Sequence, residues 1–186
     1  MKRISDWLHK ISASWVTPAG LVIFVLFTAL VLPRQASQAD PSTEAVGSPD
    51  LSFFYTPEDL YEMAEVYGAD GRSDYIRARL TFDVIWPLVY TVFLATAISW
   101  VSIRSFDRNG FWQRTNLVPI LGMALDYLEN LSTSLVMFRY PVTTPVVDFL
   151  APFFTATKWI FVSGSFVALL AGTAKLIWDQ VRILTQ

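Results

Sequence analysis

The sequence predicts an all-α, polytopic membrane protein: a four-transmembrane-helix bundle with a short extracytoplasmic amphipathic helix. Three observations predict it. Hydrophobic residues make up 53% of the 186 positions and charged residues only 16%, whereas soluble domains carry about 25% charged residues. Four apolar stretches stand near or above the roughly 20 residues a helix needs to cross a hydrocarbon core. Basic residues, finally, gather on one side of those stretches and acidic residues on the other. The same composition narrows the chemistry. With no cysteine, disulfides, thiolate metal sites, Fe–S clusters and thiol redox reactions are excluded. His9 is the single histidine, so Ser-His-Asp and histidine–zinc constellations fall away too.

The first span covers residues 15–32. Lys2, Arg3 and Lys10 precede it, and Ser37-Gln38-Ala39 resembles a small-residue cleavage site, as in a secretory signal. The apolar run is long for a signal core and begins late, so a retained helix is expected. The remaining spans are 80–103, 117–138 and 149–174, and the four together occupy 90 positions. The whole chain, 1–186, is therefore read as a single membrane domain. Eight basic and three acidic residues flank the spans on one side, against five basic and ten acidic on the other. By the positive-inside rule both termini are cytoplasmic. Trp7, Trp15, Trp100, Trp112 and Trp178 cluster near the cytoplasmic boundary, and Tyr75, Trp86 and Tyr140 near the outer one.

Residues 33–79 form the extracytoplasmic segment. Its first part, 33–49, is rich in Ser, Ala, Pro and Gln and reads as an irregular linker. A helix over about 57–67 follows, with Thr56 as N-cap, Pro57 at the first helical position and Glu58 and Asp59 against the positive dipole end. Leu60, Met63, Ala64 and Tyr67 share one face. Gly68 stops the helix, Asp70-Gly71 makes a turn and Ser73 caps the next helix. The amphipathic helix either packs its stripe on the bundle or closes over an outward-facing cavity as a lid.

Four ionisable residues fall inside the spans. A charge at a helix centre costs about 2.5–3.5 kcal/mol on insertion scales, so such residues face the interior, pair, and mark function. Asp126, Glu129, Asn130 and Thr133 share one face of the third span. Glu129 lies ten residues from Arg139, and Lys158 ten from Asp148. At 1.5 Å per residue both are about 15 Å from the outer boundary. A Glu129–Lys158 pair, or Asp126–Lys158 one turn deeper, is expected. Ala151, Thr155, Ser165 and Gly172 make a small, polar stripe beside the lysine that permits close helix approach. In the second span Asp83 stands one turn after Arg79 and one turn before Pro87, whose missing N–H frees the Asp83 carbonyl. Tyr90 offers a hydroxyl on the next turn. An Arg79–Asp83 pair with a harmless proline kink is the plainer account of that stretch.

Three acids and one lysine cannot all be ionised and dry without compensation, which calls for a protonated carboxyl, bound water, a cation or a polar ligand. Asp83, Tyr90, Asp126, Glu129, Asn130, Thr133, Thr155 and Lys158 are the candidate binding residues, with Asp126, Glu129 and Lys158 the candidates for any catalysis. Asp126 and Glu129 could offer oxygens to a hard cation, but the neighbouring lysine opposes it, so no metal and no cofactor is expected.

The motifs Tyr67-Gly68-x-x-Gly71-Arg72-x-x-Tyr75, Asp83-x-x-x-Pro87-x-x-Tyr90 and Asp126-x-x-Glu129-Asn130, followed by Lys158, resemble those of a family of uncharacterised four-helix bacterial membrane proteins. The likeness spans roughly residues 55–160. It implies topology and no activity.

The functional expectation is an integral membrane protein whose polar core binds a small polar or lipid ligand or fixes helix packing. One alternative is an intramembrane enzyme of isomerase or lipid-modifying type, with the carboxyl–lysine pair as acid and base on a lipophilic substrate. Another is a proton- or ion-conducting homo-oligomer, since four helices without a repeat would need further copies. The expected partners are membrane lipids and a small ligand, with no role for nucleic acid.

Overall fold

The computed structural model describes residues 2–37, 46–107 and 110–185. Gln38 and Ala39 of the cleavage-like sequence, the acids Asp40 and Glu44, the rest of linker residues 38–45 and Arg108 lie outside the described residues. Every regular element among the described residues is helical. In chain order they are α1 (Lys2–Ser12), α2 (Val16–Leu26), a π-helical turn (Phe27–Val31), α3 (Leu32–Ser37), a 3₁₀ turn (Pro49–Leu51) and α4 (Pro57–Val66). After these come α5 (Gly68–Ser105), a 3₁₀ segment (Phe111–Leu117), α6 (Val118–Arg139) and α7 (Val147–Leu184).

Three helical stretches among the described residues are long and apolar enough to cross a membrane: Val16–Arg34, Gly68–Ser105 and Val147–Leu184. The chain is thus an all-helical membrane protein. Helix α6 has the length, at 22 residues, but Asp126, Glu129 and Asn130 in its middle lower its mean hydropathy.

The chain packs as two compact units. The first comprises residues 1–27, 89–122 and 160–186, the second residues 28–88 and 123–159. In the first, α1 docks on the 3₁₀ segment. Ser5 donates from Oγ to Asn116 Oδ1 (2.9 Å) or the Gln113 carbonyl (2.9 Å), and Asn116 Nδ2 donates to Ser99 Oγ at 2.9 Å. Leu8, Ala95 and Leu117 close an apolar core beside these bonds. Gly20 lets α2 approach α5 closely: a Cβ there would lie 3.4 Å from the Phe93 backbone, and Phe24 stacks on Phe93 with ring centroids 4.8 Å apart. Gly172 of α7 sits tighter still, because a Cβ would stand 2.6 Å from Val101 Cγ1.

The second unit is built around α4. Thr56 and Asp59 form a reciprocal capping box, with Pro57 in the first turn. Leu60, Met63, Ala64 and Tyr67 are all buried, in a cluster with Tyr55, Tyr75, Val136, Met137 and Ala151; burying a leucine in this way stabilises by about 1.5–3 kcal/mol. Tyr61 ties down the α6–α7 connection, donating to Asp148 Oδ2 (2.9 Å) and accepting from the Thr144 N–H (2.7 Å).

Several boundaries differ from the sequence expectation. Gly68 ends α4, at a φ of 64° that favours glycine, but α5 begins at the same residue. Asp70, Gly71 and Ser73 are helical, not a turn and a cap, because the single left-handed glycine makes the whole corner and Arg72 Nη1 donates to the Ala64 carbonyl at the end of α4 (2.7 Å). Residues 33–37 are helical where linker was expected. Helix α7 runs ten residues past the expected end, with its exposed tail carrying a Lys175–Asp179 pair at 2.7 Å.

Candidate functional site

Six charged side chains of the second unit, Asp50, Arg79, Asp83, Asp126, Glu129 and Lys158, turn inward and pair. On α6, Asp126, Glu129, Asn130 and Thr133 are all buried, Glu129 and Thr133 completely. On α7, the spacing of Ala151, Thr155 and Lys158 turns those three to the interior, while Phe149, Phe153 and Ile160 are exposed. Helix α6 has the same inverted pattern, with Leu128, Leu131, Leu135 and Phe138 exposed. A helix with polar residues inside and leucines outside is arranged for hydrocarbon surroundings.

Lys158 Nζ pairs with Glu129 Oε2 and lies 4.0 Å from Asp126 Oδ1. Asn130 Nδ2 donates to Asp126 Oδ1 at 3.3 Å. Thr133 back-bonds to the Glu129 carbonyl (2.9 Å) and accepts from the Tyr75 hydroxyl (3.1 Å). Tyr75 in turn carries Arg79 over its ring, 4.7 Å from the centroid. Arg79 is the second cationic centre: its Nη1 meets Asp50 Oδ2 and its Nε meets Asp83 Oδ2, both at 2.9 Å. Two cations therefore face four carboxyls, and they are linked through Tyr75 and Thr133. Among the described residues, Asn130 Oδ1 is buried with no hydrogen-bond donor.

An irregular strap, residues 46–56, lies against this centre. The Tyr67 hydroxyl donates to the Gly47 carbonyl (2.8 Å), Trp159 Nε1 to the Ser52 carbonyl (3.2 Å), and Thr155 Oγ1 to the Tyr55 hydroxyl (3.1 Å). Phe53 packs on the Trp159 ring, with centroids 5.2 Å apart. Burial by itself would raise the Asp50 carboxyl, but the Arg79 guanidinium and the Ser48 hydroxyl outweigh it and hold the group below the ordinary carboxylate value. Burial pushes the Tyr55 hydroxyl up, so it stays protonated.

The structure thus brings together Asp83, Asp126, Glu129, Asn130, Thr133, Thr155 and Lys158. Tyr90, though 4% exposed, belongs to the first packing unit. Pro87 is inside α5 and cannot donate to the Asp83 carbonyl. Sequence reasoning missed Asp50, Tyr55 and Trp159. It left Asp50 at the edge of the linker and offered α4 either as packing its stripe on the bundle or as a lid; the stripe is packed in the apolar cluster, and the strap preceding α4 touches the charged residues. The available signal was Ser48-Pro49-Asp50, a short turn-forming triplet that ends the low-complexity stretch. No group of three or more His, Asp or Glu side chains among the described residues is arranged to hold a metal.

No protein-family model matches the chain, and neither a curated protein nor a solved structure is significantly similar to it.

Proposed function

We propose that this chain is a four-span integral membrane protein of the bacterial inner membrane, with both termini cytoplasmic and α4 and the strap outside. Its strap-covered acidic centre binds a small polar molecule or a lipid head group that donates hydrogen bonds. The inverted polarity of α6 supports counting it as the fourth span, and the motif resemblance to the four-helix bacterial family points to the same topology. One observation carries the binding role. Glu129 is completely buried beside Asn130, whose buried Oδ1 lacks a donor, in a centre where carboxyls outnumber cations by two. A network that served only to hold helices together would be balanced and saturated, because each buried unsatisfied group costs about 1–3 kcal/mol and a charged one more. A ligand ammonium or hydroxyl donor would complete the set. The direct Lys158–Glu129 contact also favours a second reading, acid–base chemistry on a lipophilic substrate.

Native mass spectrometry of protein released from lipid nanodiscs tests the binding role. The wild type is expected to carry a bound small molecule that the Glu129→Gln/Lys158→Met variant loses, with both proteins folded by circular dichroism. Ligand-free spectra for both would overturn it. Recovery of two interconverting bound species would favour the enzyme.

A further inference from the structure

The first packing unit holds a second site. Between α1 and the start of α6 lies a cavity of about 290 Å³ lined by Lys2, Arg114, Leu117, Val118 and Leu121. Two exposed cations stand above an apolar wall: Arg114, Leu117, Val118 and Leu121 recur at helical spacing on one face, and Lys2 reaches in from α1. Ser5 and Asn116 lock α1 onto the 3₁₀ segment through buried hydrogen bonds, and His9 Nε2 lies 3.0 Å from the Gln113 carbonyl.

Helix α1 itself has three faces. Ser5, Leu8 and Ser12 are buried against the protein, Lys2, Arg3 and Lys10 are exposed, and Ile4 and Trp7 are exposed at 49% and 58%. An amphipathic helix with basic residues beside an exposed apolar stripe lies in the plane of a membrane interface and is drawn to anionic lipid. The first unit carries eight basic and three acidic residues over its sequence, so its field has the same sign.

We propose that this cavity binds one anionic phospholipid. The Arg114 guanidinium and the Lys2 ammonium hold the phosphate, the former with its planar fork and the latter as a point charge. Leu117, Val118 and Leu121 take the first carbons of an acyl chain. A soluble phosphate would leave that wall exposed to water, which is why the source is a lipid.

Lipid retention by the full-length protein tests this, in nanodiscs of mixed phosphatidylglycerol and phosphatidylcholine followed by native mass spectrometry. Lys2→Gln/Arg114→Gln is expected to lose one tightly held phosphatidylglycerol per chain, with affinity about 30-fold weaker, from roughly fivefold per basic residue at an anionic surface. Lys10→Gln/Arg182→Gln removes the same charge from exposed positions elsewhere in the unit and is expected to keep that lipid. Millimolar glycerol 3-phosphate is expected to leave it in place. Equal loss in both variants would overturn the site in favour of diffuse attraction. So would equal retention of phosphatidylcholine by the wild type, or displacement by glycerol 3-phosphate. Because both variants leave Asp126, Glu129 and Lys158 unchanged, either result stands apart from the fate of the acidic centre.

Discussion

Asp50 shows how a residue in an irregular stretch acquires a function. Its carboxylate completes the Arg79 centre, and that bond fastens the strap. Since its folded-state value lies below the ordinary 3.8, the attachment contributes stability above that pH and loses it as pH falls through the lowered value. Limited proteolysis within residues 46–56 should therefore be slow at pH 6 and accelerate below about 3.8. Asp50→Asn should be cut readily at both, and a variant strap as well protected at pH 6 as the wild type's would show that Asp50 does not hold it. The Glu129–Lys158 pair follows different logic. Two buried charges lose hydration roughly as fast as they gain attraction, so the pair is weak evidence of stability and better evidence of a role.

Among the elements, α7 joins two demands in one helix. Its buried face is small and polar so that neighbours approach, and its exposed face is apolar. Ser165 is completely buried, Gly172 abuts Val101, and Ser105 Oγ donates to the Gly172 carbonyl at 3.3 Å. A methyl at position 172 has no room, since the valine branch cannot swing away as the tip of a flexible chain would. Gly172→Ala should destabilise by about 1–3 kcal/mol, the usual cost of overpacking, read as a lower midpoint of thermal unfolding in detergent. Gly164→Ala is the matched control: nothing lies within 4 Å of its added Cβ, and alanine is the better helix former, so it should be neutral or stabilising; an equal loss in both would mean that the Val101 contact does not govern. Close approach of this kind substitutes for the hydrophobic effect, which does not draw helices together in lipid.

At the scale of the whole molecule, charge divides as packing does. The first unit has eight basic and three acidic residues, the second six basic and thirteen acidic. Such asymmetry sets orientation through retention of basic segments in the cytoplasm. A chain without cysteine allows a direct check, because any introduced thiol is the sole label site. Glu58→Cys should react with a membrane-impermeant maleimide on intact cells. Lys10→Cys and Arg182→Cys should react only after permeabilisation. All three positions are exposed, so failure to label reports location; labelling of position 10 or 182 from outside would reverse the topology.

The sequence by itself determined the helical membrane class, the start of α4, and the shared level of Glu129 and Lys158. Each follows from local physics: apolar length, capping chemistry, and a fixed rise per residue along antiparallel neighbours. Only the tertiary structure decided that α5 begins directly at Gly68, that Asp50 joins Arg79, and that the strap, not α4, meets the charged centre. Those depend on which long-range partner satisfies a buried charge. An irregular segment has no period from which that partner can be read, so the contact exists only once the surrounding helices have brought Arg79, Thr155 and Trp159 within reach.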